Sequence, residues 1–132
     1  MINPKLGRTK SHRELMLANL AKSVIKAEKV KTTLPRARAA RRVVERWITL
    51  AKKANLAEDS LAYRKRLYRF IQDRELVDKL IDDLAIRAKS REGGYTRLLK
   101  VGSRVGDASP VVVLAIVDKA PVKVKSKSKG AK

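Results

Sequence analysis

Positive charge is distributed unevenly along this chain, and its distribution limits the folds and partners available to it. The 132 residues include 33 Lys and Arg but only 13 Asp and Glu, which leaves a formal net charge of +20. Residues 1–58 hold 15 of the basic residues against four acids, and residues 119–132 hold six lysines and no acid. An excess of this size repels itself unless a polyanion lies close by, so we expect one side of the molecule to face nucleic acid.

Composition excludes several other classes of protein. A chain of this length predicts one domain, and an apolar fraction of 44% is sufficient for a hydrophobic core. Because there is no cysteine and His12 is the only histidine, we expect neither a disulfide framework nor a zinc finger. The longest apolar run, residues 111–117, is far shorter than a membrane span, and no signal peptide is evident, so we expect a cytosolic protein.

The first part of the chain predicts a helix and a strand behind a basic N-terminal arm, residues 1–10. Ser11 and Glu14 have the spacing of a capping box, in which each side chain accepts a bond from a free backbone N–H. The helix that follows places five apolar residues on one face: Met16, Leu17, Leu20, Ala21 and Val24. In residues 29–34 successive side chains alternate between two faces, which predicts a short strand.

The clearest amphipathic pattern begins at Pro35, which suits the first turn of a helix because no N–H is needed there. One face of this second helix is apolar: Ala37, Ala40, Val44, Trp47, Ile48 and Ala51. The opposite face is basic: Arg38, Arg42, Arg46 and Lys53. The three arginines recur every four residues, and Glu45 is the only acid among the outer positions of this helix. We therefore interpret this face as phosphate-binding rather than as an ordinary solvated surface.

Two further helices are predicted between residues 59 and 94. Asp59 or Ser60 caps the third helix, whose inward face is Tyr63, Leu67, Phe70 and Ile71. Asp73 caps the fourth, whose inward face is Leu76, Val77, Leu80, Ile81, Leu84 and Ala88. Gly93-Gly94 is expected to end it, with one glycine at positive φ. Its outer face holds Glu75, Asp78 and Asp82, which we interpret as a solvated acidic surface facing away from nucleic acid, in preference to a divalent metal site.

Two strands complete the predicted domain, at residues 95–101 and 111–117, and the loop between them contains Arg104. The second strand is apolar throughout, so we expect it at the centre of the sheet with both faces covered. Residues 119–132 have too little apolar surface to fold and predict a disordered lysine-rich tail. The expected fold class is α+β: a two-layer α/β domain over residues 11–118, in the order α-β-α-α-α-β-β, with a small sheet packed against helices.

Side-chain alternation sets the expected orientation of the first of these two strands. Thr96 and Leu98 should face the core, which places Tyr95 and Arg97 on the outer face near Lys100 or Arg104. On that face we expect Arg97 to contact phosphate and Tyr95 to contact sugar or base. The alternative is that Tyr95 packs on the end of the fourth helix.

No motif indicates catalysis. The chain has no glycine-rich phosphate loop, and no Ser/Asp arrangement around His12 suggests a catalytic triad. Aromatic residues are few, and three of them lie on apolar faces, so stacking of several bases is not expected. Recognition through the sugar-phosphate backbone and the shape of the nucleic acid remains, and this is typical of proteins that bind structured RNA. We therefore expect no enzyme activity, no metal and no cofactor.

Four segments of the chain together resemble a known family. They are Ser11-His12-Arg13, residues 31–38 (KTTLPRAR), residues 45–53 (ERWITLAKK) and residues 91–118 (REGGYTRLLKVGSRVGDASPVVVLAIVD). The last segment is the most specific, because of the order Gly93-Gly94-Tyr95-Thr96-Arg97 near its start. Over about residues 7–118 the chain is similar to the bacterial large-subunit ribosomal protein seventeen family.

This resemblance implies a non-enzymatic structural constituent of the large ribosomal subunit. Members of the family pack helices against a small sheet, bind large-subunit ribosomal RNA and lie near the outer end of the peptide exit tunnel. The implied partners are that RNA and neighbouring ribosomal proteins, with no membrane and no small-molecule substrate. Together with the basic faces, it predicts the following RNA-binding residues: Lys5, Arg8, Lys10, His12, Arg13, Lys31, Arg36, Arg38, Arg42, Arg46, Tyr95, Arg97, Lys100 and Arg104.

Two other functions stay open from the sequence. An architectural DNA-compacting protein would have the same charge and the same dependence of binding on salt, but it would remain with the nucleoid rather than co-sediment with large subunits. An RNA-modifying enzyme would also be basic. The missing catalytic constellation disfavours it.

Overall fold

The computed structural model describes residues 4–118, and its helices and strands occur in the predicted order. They are α1 (Lys10–Ala27), β1 (Lys29–Thr33), α2 (Leu34–Leu56), α3 (Leu61–Ile71), α4 (Arg74–Lys79), a π-helical turn (Leu80–Leu84), α5 (Ala85–Arg87), β2 (Thr96–Ser103) and β3 (Pro110–Ile116). α4, the π turn and α5 follow one another without a break and correspond to the predicted fourth helix. The α+β class is confirmed. The predicted tail, residues 119–132, lies outside the described residues.

α1 begins ahead of the predicted capping box, which does not form. Its N-cap is Thr9, which makes no side-chain cap bond, and the Arg13 N–H donates to the Thr9 carbonyl at 2.9 Å. Ser11 therefore lies inside the first turn rather than ahead of it, so its hydroxyl does not act as a cap. The helix ends at Ala27, and its C-cap Glu28 has a left-handed φ of 65° that turns the chain directly into β1.

α2 is the helix around which the core is built. Its apolar face is buried as the periodicity predicts, with Val44, Trp47 and Ile48 among its most enclosed side chains. α1 contributes Val24 and Ile25 to the same core. Full burial of a side chain of this size stabilises the fold by roughly 1.5–3 kcal/mol. The contact between α1 and α2 is therefore a large part of what holds the helical layer together.

α3 packs against α2 and α4 through Leu67 and Ile71, which are buried. Of the two predicted caps, Asp59 provides the bond, because its Oδ1 accepts from the Leu61 N–H at 2.9 Å. Phe70 is 45% exposed, so its prediction as an inward residue is wrong. It lies about 100° around the helix from Ile71, and this short helix buries only a narrow strip against its neighbours.

Asp73 caps α4 as predicted, since its Oδ1 accepts from the N–H groups of the next turn at 3.0 and 3.5 Å. Buried residues then recur in pairs every four residues: Leu76 and Val77, Leu80 and Ile81, Leu84 and Ala85. A step of four residues exceeds an α-helical turn of 3.6, so in a regular helix these pairs would rotate away from the core. The π turn reverses this rotation, because the Ala85 N–H bonds to the Leu80 carbonyl, five residues back.

The helix ends at Arg87, earlier than the predicted end at Gly93-Gly94. Two tight turns follow, in which the Lys89 and Arg91 N–H groups bond to carbonyls three residues back, so no glycine is needed to stop the helix. Gly94 has a φ of +63°, which confirms that one of the two glycines takes positive φ. It directs the chain into β2 instead of ending the helix.

β3 lies at the centre of an antiparallel three-stranded sheet of order β1-β3-β2, as predicted. α1 and α2 cover the face that holds Val112, Leu114 and Ile116. No element within residues 4–118 covers the opposite face, so the prediction that both faces of β3 are covered is wrong. The strand register aligns residues in rows across the three strands. Two of these rows lie on the uncovered face: Lys29–Ala115–Arg97 and Lys31–Val113–Leu99.

A cluster of ion pairs, the Arg87 cluster (Arg87, Glu28, Asp83 and Asp118), joins the helices to the end of the sheet. Arg87 is 10% exposed and donates to the Glu28 carboxylate at 2.7 and 3.2 Å. It also donates to both Asp83 oxygens at 2.9 Å and to the Asp118 carbonyl at 2.7 Å. These contacts connect the end of α1, the π turn with α5, and the chain after β3. The hydrogen bonds from Arg87 hold the pKa of Glu28 below its ordinary value of 4.5.

Candidate nucleic-acid interface

The outer face of α2 presents its arginines to solvent. The three that recur every four residues, which we call the arginine ladder, are all exposed: Arg38, Arg42 and Arg46. The carboxylate of Glu45 accepts from Arg41 Nε at 3.3 Å and from the Thr96 hydroxyl at 3.0 Å. These two donors lie outside the ladder, so the Glu45 carboxylate is hydrogen-bonded elsewhere. Glu14 of α1 lines a groove together with Arg42. The three arginines still outnumber the acidic residues placed beside them, and this positive excess favours phosphate.

The N-terminal arm and the start of α1 lie beside this ladder. Pro4 of the arm, Arg13 of α1 and Arg42 of α2 together line a groove of about 190 Å³. Pro4 also lines a second groove of about 380 Å³ with Arg38 and Arg42. We call the ladder, Arg13 and residues 4–10 of the arm the helical basic surface. It brings together most of the predicted RNA-binding residues from the first half of the chain.

The remaining predicted RNA-binding residues of the arm and first helical turns differ in accessibility. Three are exposed: Lys5, Lys10 and His12. Arg8 is only half-buried, and its Nη1 donates to the Leu6 carbonyl at 3.2 Å. Arg8 therefore uses part of its donor capacity to hold the arm itself in shape.

A second basic region lines a depression of about 640 Å³, where β1 meets α2 beside the β2–β3 hairpin. Three cations line it: Lys31, Arg36 and Arg104. Arg104 is ion-paired with Asp107, and this contact holds the pKa of the Asp107 carboxyl far below its usual range. Asp107 also accepts from the Ser109 hydroxyl at 2.8 Å. The positive charge of Arg104 is thus partly compensated within its own loop.

Tyr95 lies inside the molecule, contrary to its predicted position on the outer face. Its side chain is only 3% exposed, and Lys52 Nζ of α2 donates to its hydroxyl at 3.1 Å. Lys52 lies 5.0 Å from the centre of the tyrosine ring and also bonds to the Arg91 carbonyl. Tyr95 precedes β2, so the alternation that governs the strand does not yet apply to it. The predicted contact of its side chain with sugar or base is therefore not available in this fold.

Arg97 and Lys100 lie on opposite faces of the sheet. Arg97 is aligned with Ala115 on the uncovered face, and it is exposed. Lys100 is aligned with Val112, whose side chain faces the helices. Directly opposed residues share a face, so these two cations do not form one cluster with Tyr95.

The predicted acidic surface is partly neutralised by α3. Arg64 lies 3.2 Å from Asp78 and 3.9 Å from Asp82, and Glu75 is exposed beside them. Within residues 4–118 there is no group of three or more acidic or histidine side chains arranged to hold a metal ion. The same part of the chain contains no helix both long and apolar enough to cross a membrane.

Comparison with known families gives a match that covers most of the chain. The family model of ribosomal protein L17 matches residues 16–117, from the second turn of α1 to the end of the sheet. The chain belongs to the ribosomal protein L17 family. This is a family of structural, non-enzymatic proteins of the large ribosomal subunit, so the chain is a structural constituent of the ribosome. The matched segment contains α2 complete and all three strands, which confirms the family resemblance; of the four sequence segments, Ser11-His12-Arg13 lies outside the match.

One cation that lies close to the predicted site residue Arg97 could not be found from the sequence pattern. Lys29 lies across Ala115 from Arg97, although 68 positions separate the two along the chain. No periodicity within either segment predicts this proximity, because it depends on the register of both strands with β3. A strand-pairing prediction would be the only sequence signal able to find it.

Proposed function

We propose that this chain binds large-subunit ribosomal RNA through its helical basic surface, and that it does so near the peptide exit tunnel. The position near the tunnel is carried over from the family resemblance. Binding to RNA is supported by the arrangement of the basic residues themselves. As a ribosomal protein, the chain takes part in translation by stabilising a particular arrangement of RNA rather than by chemistry of its own.

The observation that carries the proposal is the exposed arginine ladder beside the arm. Guanidinium groups one helical turn apart contact successive phosphates, and the planar fork of arginine can hold phosphate oxygens by two bonds. The grooves shared with Pro4 extend this surface to Arg13 and to the exposed cations of the arm. A surface of this shape recognises RNA by its backbone, as expected for structured RNA.

The other predicted contacts divide into three groups. Arg36 and Arg104 line the depression beside α2 and extend the phosphate-binding region there. Lys100 remains a prediction from the sequence, on the side of the sheet that faces the helices. Lys31 and Arg97 lie on the uncovered face of the sheet, apart from the helical basic surface. Tyr95 is no longer among the proposed contacts, because its ring is enclosed.

The test is a triple substitution of the ladder: Arg38→Gln, Arg42→Gln and Arg46→Gln. These side chains point away from the apolar face of α2, so we expect the circular dichroism spectrum and melting temperature to stay close to wild type. Affinity for large-subunit ribosomal RNA should fall, and the slope of log affinity against log salt should flatten. With a duplex value of about 0.9 per phosphate contact, the change is up to about 2.7 for three contacts.

The matched control removes three positive charges from a different helix. Lys65, Arg66 and Arg69 are exposed on α3, outside the proposed surface, and their change to glutamine gives the same loss of net charge. We expect this control to leave the salt slope nearly unchanged. Equal flattening in both triple variants would mean that net charge, rather than this surface, determines binding, and the proposal would be rejected.

Family membership favours the ribosome over the architectural DNA-compacting protein. The two functions still differ in a direct assay. A ribosomal protein should remain with large subunits through a high-salt wash, and a cross-linking map of those subunits should place it near the tunnel exit.

A further inference from the structure

We propose that the uncovered face of the sheet binds a segment of a neighbouring ribosomal protein whose apolar side chains are flanked by carboxylates. This inference rests on the proposed place of the chain in the large subunit. It concerns a surface distinct from the helical basic surface that we assign to RNA.

The open face is built by the two cross-strand rows and their continuation toward the hairpin. The open face consists of these eight residues: Lys29, Lys31, Thr33, Arg97, Leu99, Val111, Val113 and Ala115. The residues that alternate with them along the strands, such as Val112 and Leu114, point into the helical core. One side of the sheet is thus covered by α1 and α2, while the other has no covering layer among the described residues.

The centre of the open face is apolar to an unusual degree for a surface. Leu99 is 45% exposed, and Val101 and Val105 continue the apolar character along the hairpin, with Val105 fully exposed. Val111 and Val113 lie beside them on β3 and are only half-buried. Contiguous apolar surface rimmed by polar groups marks sites where another molecule binds. β3 has the composition of a strand with two buried faces, and here only one face is buried by the chain itself.

The open face is also concave. One depression of about 480 Å³ is lined by Lys29, Arg97, Leu99, Val113 and Ala115. The depression of about 640 Å³ adjoins it at the hairpin end and includes Val101, Val105 and Val111. An apolar side chain inserted at either end would therefore lose contact with water on several sides.

Charge specifies the kind of partner. Three cations border the apolar centre, Lys29 and Lys31 on β1 and Arg97 on β2, and the three strands contain no acidic residue. Glu28 lies at the margin, but its carboxylate is bonded to Arg87. The outer strands are about 10 Å apart, which leaves the apolar centre between two lysines on β1 and one arginine on β2. A partner segment with apolar side chains between carboxylates complements this pattern.

The same charges disfavour other occupants. A second copy of the chain would bring three further cations against these three, and residues 119–132 contribute six lysines and no acid. RNA bases bind mainly by stacking on aromatic or guanidinium planes. Among the open-face residues Arg97 alone offers such a plane, and all five aromatic residues of the chain lie off this face, four of them on α2 and α3. An aliphatic surface gains most from burial against another protein.

The experiment uses purified large subunits that contain this chain with photoreactive benzoylphenylalanine in place of Leu99. A second variant carries it in place of Arg46, within the arginine ladder, as the matched control. After irradiation, protein and RNA cross-links are separated and the linked peptide or nucleotide is sequenced. We expect the Leu99 position to link to a peptide that combines apolar and acidic residues, and the Arg46 position to link to RNA.

A cross-link shows only that two groups are close, so a charge-reversal variant tests whether the three cations contribute to binding. Lys29→Glu, Lys31→Glu and Arg97→Glu in the Leu99 probe chain should reduce the protein cross-link several-fold, while the melting temperature of the free chain stays near that of the unreversed probe. The inference is overturned if the Leu99 probe links to RNA or to a second copy of the chain. It is also overturned if the Leu99 probe links to nothing while the Arg46 probe links to RNA. In each case the proposed function still stands. Absence of the unmodified chain from large subunits overturns the proposed function, and this inference with it.

Discussion

Replacement of Arg87 by alanine tests whether the Arg87 cluster stabilises the junction between helices and sheet. The change removes two bonds to Glu28, two bonds to Asp83 and one bond to the Asp118 carbonyl, all between 2.7 and 3.2 Å. Loss of one partner of a fully buried ion pair costs about 3–5 kcal/mol, whereas exposed pairs contribute about 0–1 kcal/mol. Arg87 is 10% exposed, but its two carboxylate partners are 28% and 44% exposed, so we expect an intermediate cost of about 2–3 kcal/mol.

The assay is thermal unfolding followed by circular dichroism. For a domain of this size, 1 kcal/mol corresponds to about 4 °C, so the melting temperature of Arg87→Ala should fall by about 8–12 °C. The control is Arg74→Ala, because Arg74 is 86% exposed and lies 4.0 Å from Asp78, which predicts a change below about 2 °C. A melting temperature of Arg87→Ala within about 2 °C of wild type would refute the stabilising role of the cluster.

The pH dependence of stability provides a second measurement on the same variant. The bonds from Arg87 lower the pKa of Glu28 below its ordinary value of 4.5 in the folded protein. The resulting stabilisation is therefore present above pH 4.5 and is lost as the pH falls through the lowered pKa of the folded state. The difference in melting temperature between wild type and Arg87→Ala should be largest near neutral pH and should shrink in acid. A difference that grows on acidification would contradict this linkage.

Two further predictions compare paired substitutions by urea unfolding. Gly94→Ala should cost about 1–2 kcal/mol, because Gly94 has a φ of +63°, whereas Gly93→Ala should have little effect, because Gly93 is not in the left-handed region. Asp73→Ala should cost about 1 kcal/mol through loss of the cap on α4, and Ser11→Ala should cost almost nothing, because no cap forms there. Equal losses within either pair would show that the local backbone is not as described.

Periodicity predicts those parts of the fold that depend on local pattern. The apolar face of α2 and the central position of β3 both follow from the spacing of apolar residues within one segment. The exposed arginine ladder follows for the same reason, since residues opposite a buried face must meet solvent. These are also the features on which the family resemblance depends most.

The errors occur where distant segments decide the outcome. Tyr95 is turned inward by the left-handed Gly94 before it and by Lys52 of α2, and neither effect is visible in strand alternation. The capping box at Ser11 has the right spacing, but the helix begins two residues earlier than it predicts, at Lys10 with Thr9 as its N-cap. The uncovered face of β3 is as apolar as a buried face. Amino-acid composition shows that a face is apolar, but it does not show whether the same chain or another molecule covers it.

The π turn at Leu80–Leu84 has a consequence for how this chain tolerates changes in length. A π turn accommodates one more residue than an α-helical turn while the helix beyond it keeps its phase. A deletion of one residue within this turn would therefore convert it to ordinary α-helix and leave Arg87 directed at Glu28. An equal deletion elsewhere between Asp73 and Arg87 would rotate the downstream helix by about 100° and separate them. In a comparison of related chains, a single-residue gap in this helix belongs at residues 80–84.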